Sequence, residues 1–569
     1  MSNVLAEPAR QMVKAGTKLT ALDRMTGLAY KIFGTQGKKI ALSTPQLREE
    51  ILKSNLRITP EGLVSLSFFI TVLSVIPAVL GVLLATVLHF PYLFMTVIVP
   101  PIVFVTVWNS PKISQGSRSS ALENELAMFT GFMSVLSGGG VSPIASMKRI
   151  GKMTQIFPAA SSEAKRILVD IEVFGMDPIT AFEKAANYSP NKTFKELLYG
   201  YTTVLKVGGD AKGYISLKLK EMLDHRSSKV KRTSDSVGTL AEAYLTVTAV
   251  LGVSLFSLFQ VEGVLNQNNS GIQSLYIFSY IVIPLFSGLF IFIIDGTSSK
   301  EPTFNKRPYK VFFACIPIGV ALFLAPLPLV LSLHVSLALA SIVVIPAVVA
   351  FKMGRERSGL ESALPDFIRD VAEGRKIGLS PEGSIEQLSS KSYGRLSKSI
   401  KTMASQISWG LPIIKVITTF ANSVDSWITK TIGTLMVEVV DVGGGTITSF
   451  SDMADFTRKV NELESEKRSS LRSYIFVVYM AGIMLVLTTF MMVFFLSQPI
   501  TKGVATAGLT VDPATVQSLL TASIFDGWII GIVAGKMGGG TVADGFKHSL
   551  ALVVISVAIV SLAGLFIPH

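Results

Sequence analysis

Two segments of the chain combine glycine and lysine in a way that is suggestive of phosphate binding, Gly34–Lys39 (GTQGKK) and Gly540–His548 (GTVADGFKH). A P-loop requires Gly-x-x-x-x-Gly-Lys followed by Ser or Thr, because its backbone N–H groups and its lysine cradle the phosphates of a nucleotide. Neither segment has that spacing. The sequence therefore predicts no nucleotide site, and the glycine runs are interpreted as turns that end helices.

Carboxylates within apolar runs are the next candidates for chemistry. A membrane aspartyl protease needs two embedded aspartates that share a proton, but only Asp526 lies well inside an apolar run, whereas Asp295 and Asp544 lie at the ends of such runs. We therefore predict no catalytic residue. Because a charge within the bilayer costs about 3 kcal/mol or more, Asp526, Glu242 and Glu262 are predicted as intramembrane polar residues. For Asp526, a hydrogen bond that fixes helix packing is favoured over a mechanistic role.

Histidine and cysteine offer no metal site. The one cysteine, Cys315, lies in an apolar run, and the five histidines are widely scattered. This usage excludes an internal disulfide and a zinc site of ordinary ligand spacing. We predict neither a metal nor a cofactor.

The composition identifies a membrane protein. The chain has 569 residues, of which only 16% are charged, and its mean hydropathy is +0.52. A helix that crosses the hydrocarbon core needs about 20 apolar residues. Nine apolar runs of roughly that length are predicted as spans: 62–88, 91–108, 240–263, 273–294, 310–331, 334–351, 474–497, 518–536 and 549–567.

The distribution of basic residues predicts the orientation of the spans. With a cytoplasmic N-terminus, 51 of the 52 Lys and Arg residues fall on the cytoplasmic side, and only Lys502 lies outside. Short translocated loops disfavour Lys and Arg, so this asymmetry favours the assignment. We expect a multi-pass protein of the cell membrane with its N-terminus in the cytoplasm and its C-terminus outside.

Two long polar stretches, 109–239 and 352–473, repeat one another. Each contains three glycine turns in the same order, and the offset between matching turns is nearly constant along the chain. The matching turn residues are Gly140, Ser142 and Pro143 with Gly378, Ser380 and Pro381, then Gly175 with Gly410, then Gly208 with Gly443. In each stretch the serine suits a helix N-cap and the proline suits the first helical position.

Apolar residues at spacings of three and four open each polar stretch, which indicates an amphipathic helix. The turns divide each stretch into about six helices, typical of an antiparallel bundle. The predicted fold class is all-α: a polytopic membrane protein with about nine transmembrane helices and two repeated cytoplasmic six-helix bundles. The predicted regions are a basic N-terminal segment (1–61), spans 1–2 (62–108), the first bundle (109–239), spans 3–6 (240–351), the second bundle (352–473) and spans 7–9 (474–569).

The repeated helix, Gly-x-Ser-Pro turn, Gly/Pro turn (Gly175 to Pro178 and Gly410 to Pro412) and Val-Gly-Gly turn resemble the F domain of the type II secretion system. Nine spans around two such domains resemble the archaeal assembly-platform proteins of archaella and type IV pili, and the C-terminal segment from Phe525 to Ser549 is similar to the final hairpin of that group. Gly209 and Gly444 stand where the family usually has glutamate. The resemblance implies an assembly platform with three kinds of partner, namely a hexameric secretion-type ATPase, pilin-like or archaellin-like subunits and a second platform copy in a homodimer.

Basic clusters in the first bundle are the predicted docking residues for that ATPase. They are Lys148, Arg149 and Lys152, then Lys165 and Arg166, then Arg226, Lys229, Lys231 and Arg232. A solvated surface is an equally good interpretation of these clusters. Nucleic-acid binding is disfavoured, because no aromatic residues alternate with the basic ones. Near the N-terminus, Leu19, Leu22, Met25, Leu28 and Ile32 share one face of a basic helix, which predicts contact with membrane lipid.

We therefore expect a non-enzymatic membrane platform that couples a cytoplasmic ATPase to the extraction and polymerisation of pilin-like subunits. The alternative is a secondary transporter with cytoplasmic regulatory domains. Internal duplication is common in transporters, but there it repeats the spans. Here the duplicated stretches are the polar ones.

Overall fold

A computed structural model describes residues 21–56, 58–88, 96–255, 257–258, 270–297, 305–442, 446–497 and 513–566. Every regular element within these ranges is helical, which confirms the predicted all-α class. Over the same ranges, eight helices are long and apolar enough to cross a membrane, and the number rises to nine if a helix pair bent by 56° near residue 109 forms one span. The predicted count of about nine spans agrees with this range.

The N-terminal part contains a basic helix and the first two apolar helices. Their bounds are α1 Ala21–Ser43, α2 Gln46–Ser54, α3 Pro60–Leu88 and α4 Val99–Trp108. Leu22, Met25, Leu28 and Ile32 all have exposed side chains on α1, and their contact with membrane lipid stays a prediction. Leu19 lies outside the described residues.

The first repeat consists of six helices, the number that its turns predict. They are α5 Ser110–Gly138, α6 Pro143–Lys152, α7 Pro158–Glu172, α8 Pro178–Tyr188, α9 Lys192–Val207 and α10 Ala211–Leu245. Proline occupies the first position of α6, α7 and α8, where its missing N–H is not needed. Asp177 and Asn191 cap α8 and α9 by accepting hydrogen bonds from backbone N–H groups of the first turn.

The described part of the second repeat has the same number of α-helices, and its first and last helices also contain membrane spans. They are α14 Leu331–Lys376, α15 Pro381–Leu388, α16 Ser397–Ser408, α17 Ile413–Ser423, α18 Trp427–Asp441 and α19 Ile447–Ser497. A single 3-10 turn, Gly394–Leu396, precedes α16.

The remaining helices are apolar, and two π-helical segments interrupt them. The π segments are Thr246–Gly252 and Phe278–Val282, and the α-helices are α11 Ser270–Ile277, α12 Ile283–Thr297, α13 Arg307–Leu324, α20 Pro513–Gly539 and α21 Val542–Phe566. The predicted end of the fifth span at residue 331 is wrong, because α13 ends at Leu324. Pro326 and Pro328 follow, and a residue that precedes proline disfavours the helical conformation.

Packing divides the chain into two compact units. One comprises Met1–Phe129 with Met147–Tyr214, and the other comprises Thr130–Ser146 with Ile215–His569. In the first unit, Leu47, Ile51, Leu63 and Val64 form a buried apolar cluster. This division cuts across the first repeat, so the predicted region boundaries stay a prediction.

Among the described residues of the second unit, buried apolar clusters join the membrane helices. One of them connects α10, α12, α19, α20 and α21 through side chains such as Tyr244, Phe290, Val478 and Leu552.

The last helices of the two repeats, α10 and α19, contact each other at equivalent positions within the second unit. Arg226 is 3.4 Å from Glu464, and Lys231 is 3.6 Å from Glu466. Closer to the predicted membrane, a Cβ on Gly238 would overlap the ring of Tyr474. The partners in each contact have nearly the same offset along the chain as the matching turns of the two repeats. The duplicated helices therefore pack in register, each beside its own copy.

Candidate functional site

The glycine turns of the two repeats have the same backbone conformation. Gly140 and Gly378 have φ values of +82° and +91°, and Gly175 and Gly410 have values of +64° and +80°. A positive φ strains residues that carry a Cβ, which explains why glycine stands at these positions. Gly208 also has a positive φ, of +73°, whereas its predicted counterpart Gly443 lies outside the described residues.

The serine that follows the first glycine turn caps the next helix in each repeat. Ser142 Oγ accepts a hydrogen bond from the N–H of Ala145 at 3.3 Å, and Ser380 Oγ accepts one from the N–H of Gly383 at 3.1 Å. Pro143 and Pro381 are the first residues of α6 and α15. The same short turn therefore connects the first two helices of both repeats.

A further matching contact links the first helix of each repeat to the cap of its fifth helix. Glu123 Oε2 accepts a hydrogen bond from Asn191 Nδ2 at 2.7 Å, and Asn191 caps α9. Glu361 Oε1 accepts one from Ser426 Oγ at 2.6 Å, and Ser426 caps α18. The two pairs are offset along the chain as the matching turns are. The turn pattern alone did not reveal these pairs.

The sequence model of one protein family matches both repeats. The family is "Type II secretion system (T2SS), protein F", and the matched residues are 129–259 and 367–494. The starts and the ends of the two matches have the same offsets along the chain as the turns and the carboxylate–cap pairs. Both repeats belong to the type II secretion system protein F family. We call them F repeats below.

A relative covers much more than the F repeats. The chain is 22% identical to an uncharacterized protein of Methanocaldococcus jannaschii in an alignment 491 positions long, and the alignment covers 78% of this chain and 80% of the relative. The similarity thus extends into the membrane helices. No solved structure matches the chain.

The basic residues that were predicted to dock an ATPase lie on three helices. Lys148, Arg149 and Lys152 lie on α6, and Lys148 forms an exposed ion pair with Glu172 at 2.9 Å. On α7, Lys165 is exposed, and Arg166 is half-buried at 3.7 Å from Glu163. The exposed Lys148–Glu172 pair contributes little stability, and the docking role of these residues stays a prediction.

The third basic cluster, on α10, has a different environment. Arg226 and Lys231 face Glu464 and Glu466 on α19, whereas Lys229 is half-buried and Arg232 is exposed. Burial raises the pKa of Glu464. The positive charges of Lys467, Arg226 and Arg468 together lower it by more than burial raises it, so the net pKa lies below its usual value. Arg226 and Lys231 therefore join the last helices of the two F repeats, a role that the sequence did not predict for them.

The intramembrane carboxylates differ widely in exposure. Asp526 is fully buried on α20 beside Ser279, and neither of its carboxylate oxygens has a hydrogen-bond partner among the described residues. Glu242 is exposed on α10, and Glu262 lies outside the described residues. Asp295 accepts a hydrogen bond from the buried ammonium of Lys536 at 2.6 Å. That ion pair, which sequence reasoning missed, joins α12 to α20.

Glycines on α20 permit a close approach of α21, as their spacing of four residues predicts. A Cβ on Gly531 would overlap the backbone of Ser549, and a Cβ on Gly535 would overlap the backbone of Gly545. At Gly527 the contact is looser, 3.0 Å to Ser556 Oγ. The final hairpin is therefore held by direct backbone contact.

Proposed function

We propose that this chain is the cytoplasmic-membrane assembly platform of an archaellum or type IV pilus machine. In this role it couples a cytoplasmic hexameric ATPase to the extraction and polymerisation of pilin-like subunits. ATP hydrolysis is supplied by the partner, and the chain itself is not an enzyme. The two F repeats and the eight or nine candidate spans of the described ranges support the proposal.

We infer that α14 and α19 transmit motion between the second F repeat and the membrane, because both helices are continuous. Each helix contains a candidate membrane span and continues without a break into the second F repeat, over 46 and 51 residues respectively. At 1.5 Å per residue, these helices are about 69 and 77 Å long. A displacement of the F repeat is therefore passed along a continuous helix to the lipid-embedded part, although Pro346 and Pro365 each remove one backbone hydrogen bond of α14.

The basic clusters on α6 and α7 are our proposed motor-binding residues. Charge reversal of Lys148, Arg149 and Lys152 is expected to weaken binding of the hexameric secretion-type ATPase from the same organism, and the loss is expected to grow at low ionic strength. Reversal of Lys192 and Lys195, two exposed lysines on α9, serves as the comparison. Unchanged co-purification of the ATPase with the α6 variant would remove α6 from the docking surface.

A flexible insertion tests the coupling. The insertion is the four-residue sequence Gly-Ser-Gly-Ser after Gly354, in the part of α14 just beyond the predicted membrane boundary. We expect this variant to bind the ATPase as the wild type does but to form no filaments in cells. The same insertion after Lys502, in a predicted external connection, is the matched control and is expected to retain filaments. Normal filaments from the Gly354 insertion would contradict the mechanism.

The proposed assembly contains two copies of the chain, and thus four F repeats beneath the membrane. The sequence matches do not distinguish an archaellum from an adhesive pilus, so filament type is determined by deleting the gene and imaging the cell surface. Solute flux through proteoliposomes that lack the ATPase would instead indicate a secondary transporter.

A further inference from the structure

One large aromatic side chain stands exposed at the same turn of each F repeat. Trp409 in the second repeat is 81% exposed, and Phe174, at the matching position of the first repeat, is 67% exposed. Each immediately precedes a glycine with positive φ, Gly410 and Gly175. Tryptophan buries a large area when it can, and exposed aromatic anchors are typical of protein interfaces.

The turn holds Trp409 outward without help from its side chain. The N–H of Gly410 donates to the carbonyl of Ile407 at 2.7 Å, and the N–H of Leu411 donates to that of Gln406 at 3.2 Å. These bonds close the end of α16 through the backbone alone. A partner that packs on Trp409 therefore meets a fixed turn and loses little conformational entropy on binding.

Two contacts fix where the α16–α17 hairpin begins and ends. Arg395, just before α16, packs on Gly359 of α14, and Ser426, just after α17, bonds to Glu361 of α14. The turn between α16 and α17, which carries Trp409, therefore lies about one length of α16, about 18 Å, from these contacts. Gly359 itself lies about 12 Å along α14 from the predicted membrane boundary at residue 351.

The surface that leads to Trp409 is basic. A shallow groove of about 590 Å³ runs along α16 to Trp409, and Lys398 and Lys401 lie in its wall with hydroxyl and amide side chains. Between residues 388 and 424 the chain has five basic residues and no acidic one. Within the first repeat, the ammonium of Lys184 lies 6.0 Å from the centre of the Phe174 ring. That ammonium is also paired with Asp170 at 2.7 Å, so the basic character belongs to the groove at Trp409, and Phe174 shares only the exposed aromatic position.

We propose that Trp409 and Phe174 are aromatic anchors, at matching turns of the two F repeats, for one protein partner whose contact face carries apolar pockets and is acidic where it meets the groove at Trp409. This inference rests on the proposed function, in which that partner is the hexameric ATPase. It differs from the docking prediction on α6 and α7, because the anchor is an aromatic at the turn rather than a cluster of charges. An ATPase hexamer offers the same face several times, and two anchors per chain suit such a partner.

The binding experiment uses the full-length chain in nanodiscs and the purified secretion-type ATPase of the same organism. Trp409→Ala is expected to weaken ATPase binding at least tenfold, Trp409→Phe to restore most of it, and Trp409→Ala with Phe174→Ala to weaken it further. Phe292→Ala is the matched control, because Phe292 is 79% exposed in the apolar helix α12. The control is expected to bind as the wild type does. Lys398→Glu with Lys401→Glu should weaken binding and reduce its salt dependence.

The outcomes separate the two levels of the argument. ATPase binding by the wild type with undiminished binding by the Trp409→Ala, Phe174→Ala double variant overturns the docking surfaces and leaves the proposed function standing. No binding by the wild type overturns both. Loss of binding after ribonuclease treatment would assign the basic groove to RNA and also overturn the proposal. Unchanged thermal unfolding of each variant excludes misfolding as the cause.

Discussion

Glu125 shows how a single carboxylate can serve a helix terminus and still respond to pH. It accepts hydrogen bonds from the N–H groups of Ala159 and Ala160, at 3.1 and 2.8 Å, in the first turn of α7. Burial raises the pKa of Glu125 to about 7, although the two backbone bonds act in the opposite direction. The folded chain therefore binds a proton that the unfolded chain has released by pH 6 or so.

The raised pKa of Glu125 predicts that the free energy of unfolding falls as pH rises from about 4.5 to about 7, by up to about 3 kcal/mol. The wild type should lose thermal stability between pH 5 and pH 8 in detergent, measured by intrinsic fluorescence. Glu125→Gln should lose distinctly less, because glutamine does not ionise, even if it is less stable at pH 5. Glu221→Gln, at an exposed position on α10, is the control and should follow the wild type. Parallel pH curves for Glu125→Gln and wild type would contradict the prediction.

Asp526 is a different case, because its carboxylate oxygens have no hydrogen-bond partner among the described residues. An ionised carboxylate without a partner is costly to bury, so removing its capacity to ionise should cost little. We expect Asp526→Asn to express, unfold and support filaments as the wild type does, whereas Asp526→Ala should unfold at a lower temperature because it leaves a cavity. Filament loss by Asp526→Asn with unchanged unfolding would show a mechanistic role instead.

At the scale of elements, the final hairpin depends on glycine rather than on side-chain packing. Because a Cβ on Gly535 would overlap the backbone of Gly545, Gly535→Ala should force α20 and α21 apart and cost about 1–3 kcal/mol. Gly288→Ala is the matched control, because no atom lies within 4 Å of a Cβ built there on α12. It should be neutral or slightly stabilising, since alanine favours helix more than glycine does. The measurement is the thermal unfolding temperature of the Gly535→Ala and Gly288→Ala variants. Equal temperatures would contradict the close approach of α20 and α21 at Gly535.

Local chemistry explains which elements were predictable from sequence. Ser142, Pro143 and Gly140 act within a few residues of one another, so their turn and the start of α6 follow from sequence alone. The Glu123–Asn191 pair joins residues 68 positions apart and depends on how α5 and α9 pack. The exposure of Trp409 was equally hidden, because an aromatic at a helix end is as compatible with burial as with solvent. The apolar run that ends near residue 331 is longer than the helix α13 within it, because Pro326 and Pro328 end the helix earlier than the apolar residues do.

For the whole molecule, the contact between the last helices of the two F repeats is the feature that links them within the second unit. The last helices of both repeats pack at equivalent residues, and the Arg226–Glu464 pair spans that contact. Because its net pKa is lowered, Glu464 adds stability above about pH 4.5, the range in which an unfolded glutamate is ionised, and this contribution is lost as pH falls below that value. An internal pairing of this kind holds the last helices of the two F repeats together within a single chain.

The orientation of this assembly can be tested by labelling single cysteines in intact cells. In a Cys315→Ser background, Ser162→Cys places an exposed thiol on α7, and Lys502→Cys places one at the single basic residue predicted to lie outside. A membrane-impermeant maleimide should label residue 502 at once and residue 162 only after the membrane is opened, because short translocated loops disfavour basic residues. The chain that retains only Cys315, which is buried, controls for background. Labelling of residue 162 in intact cells would invert the topology, and the ATPase could then reach neither F repeat.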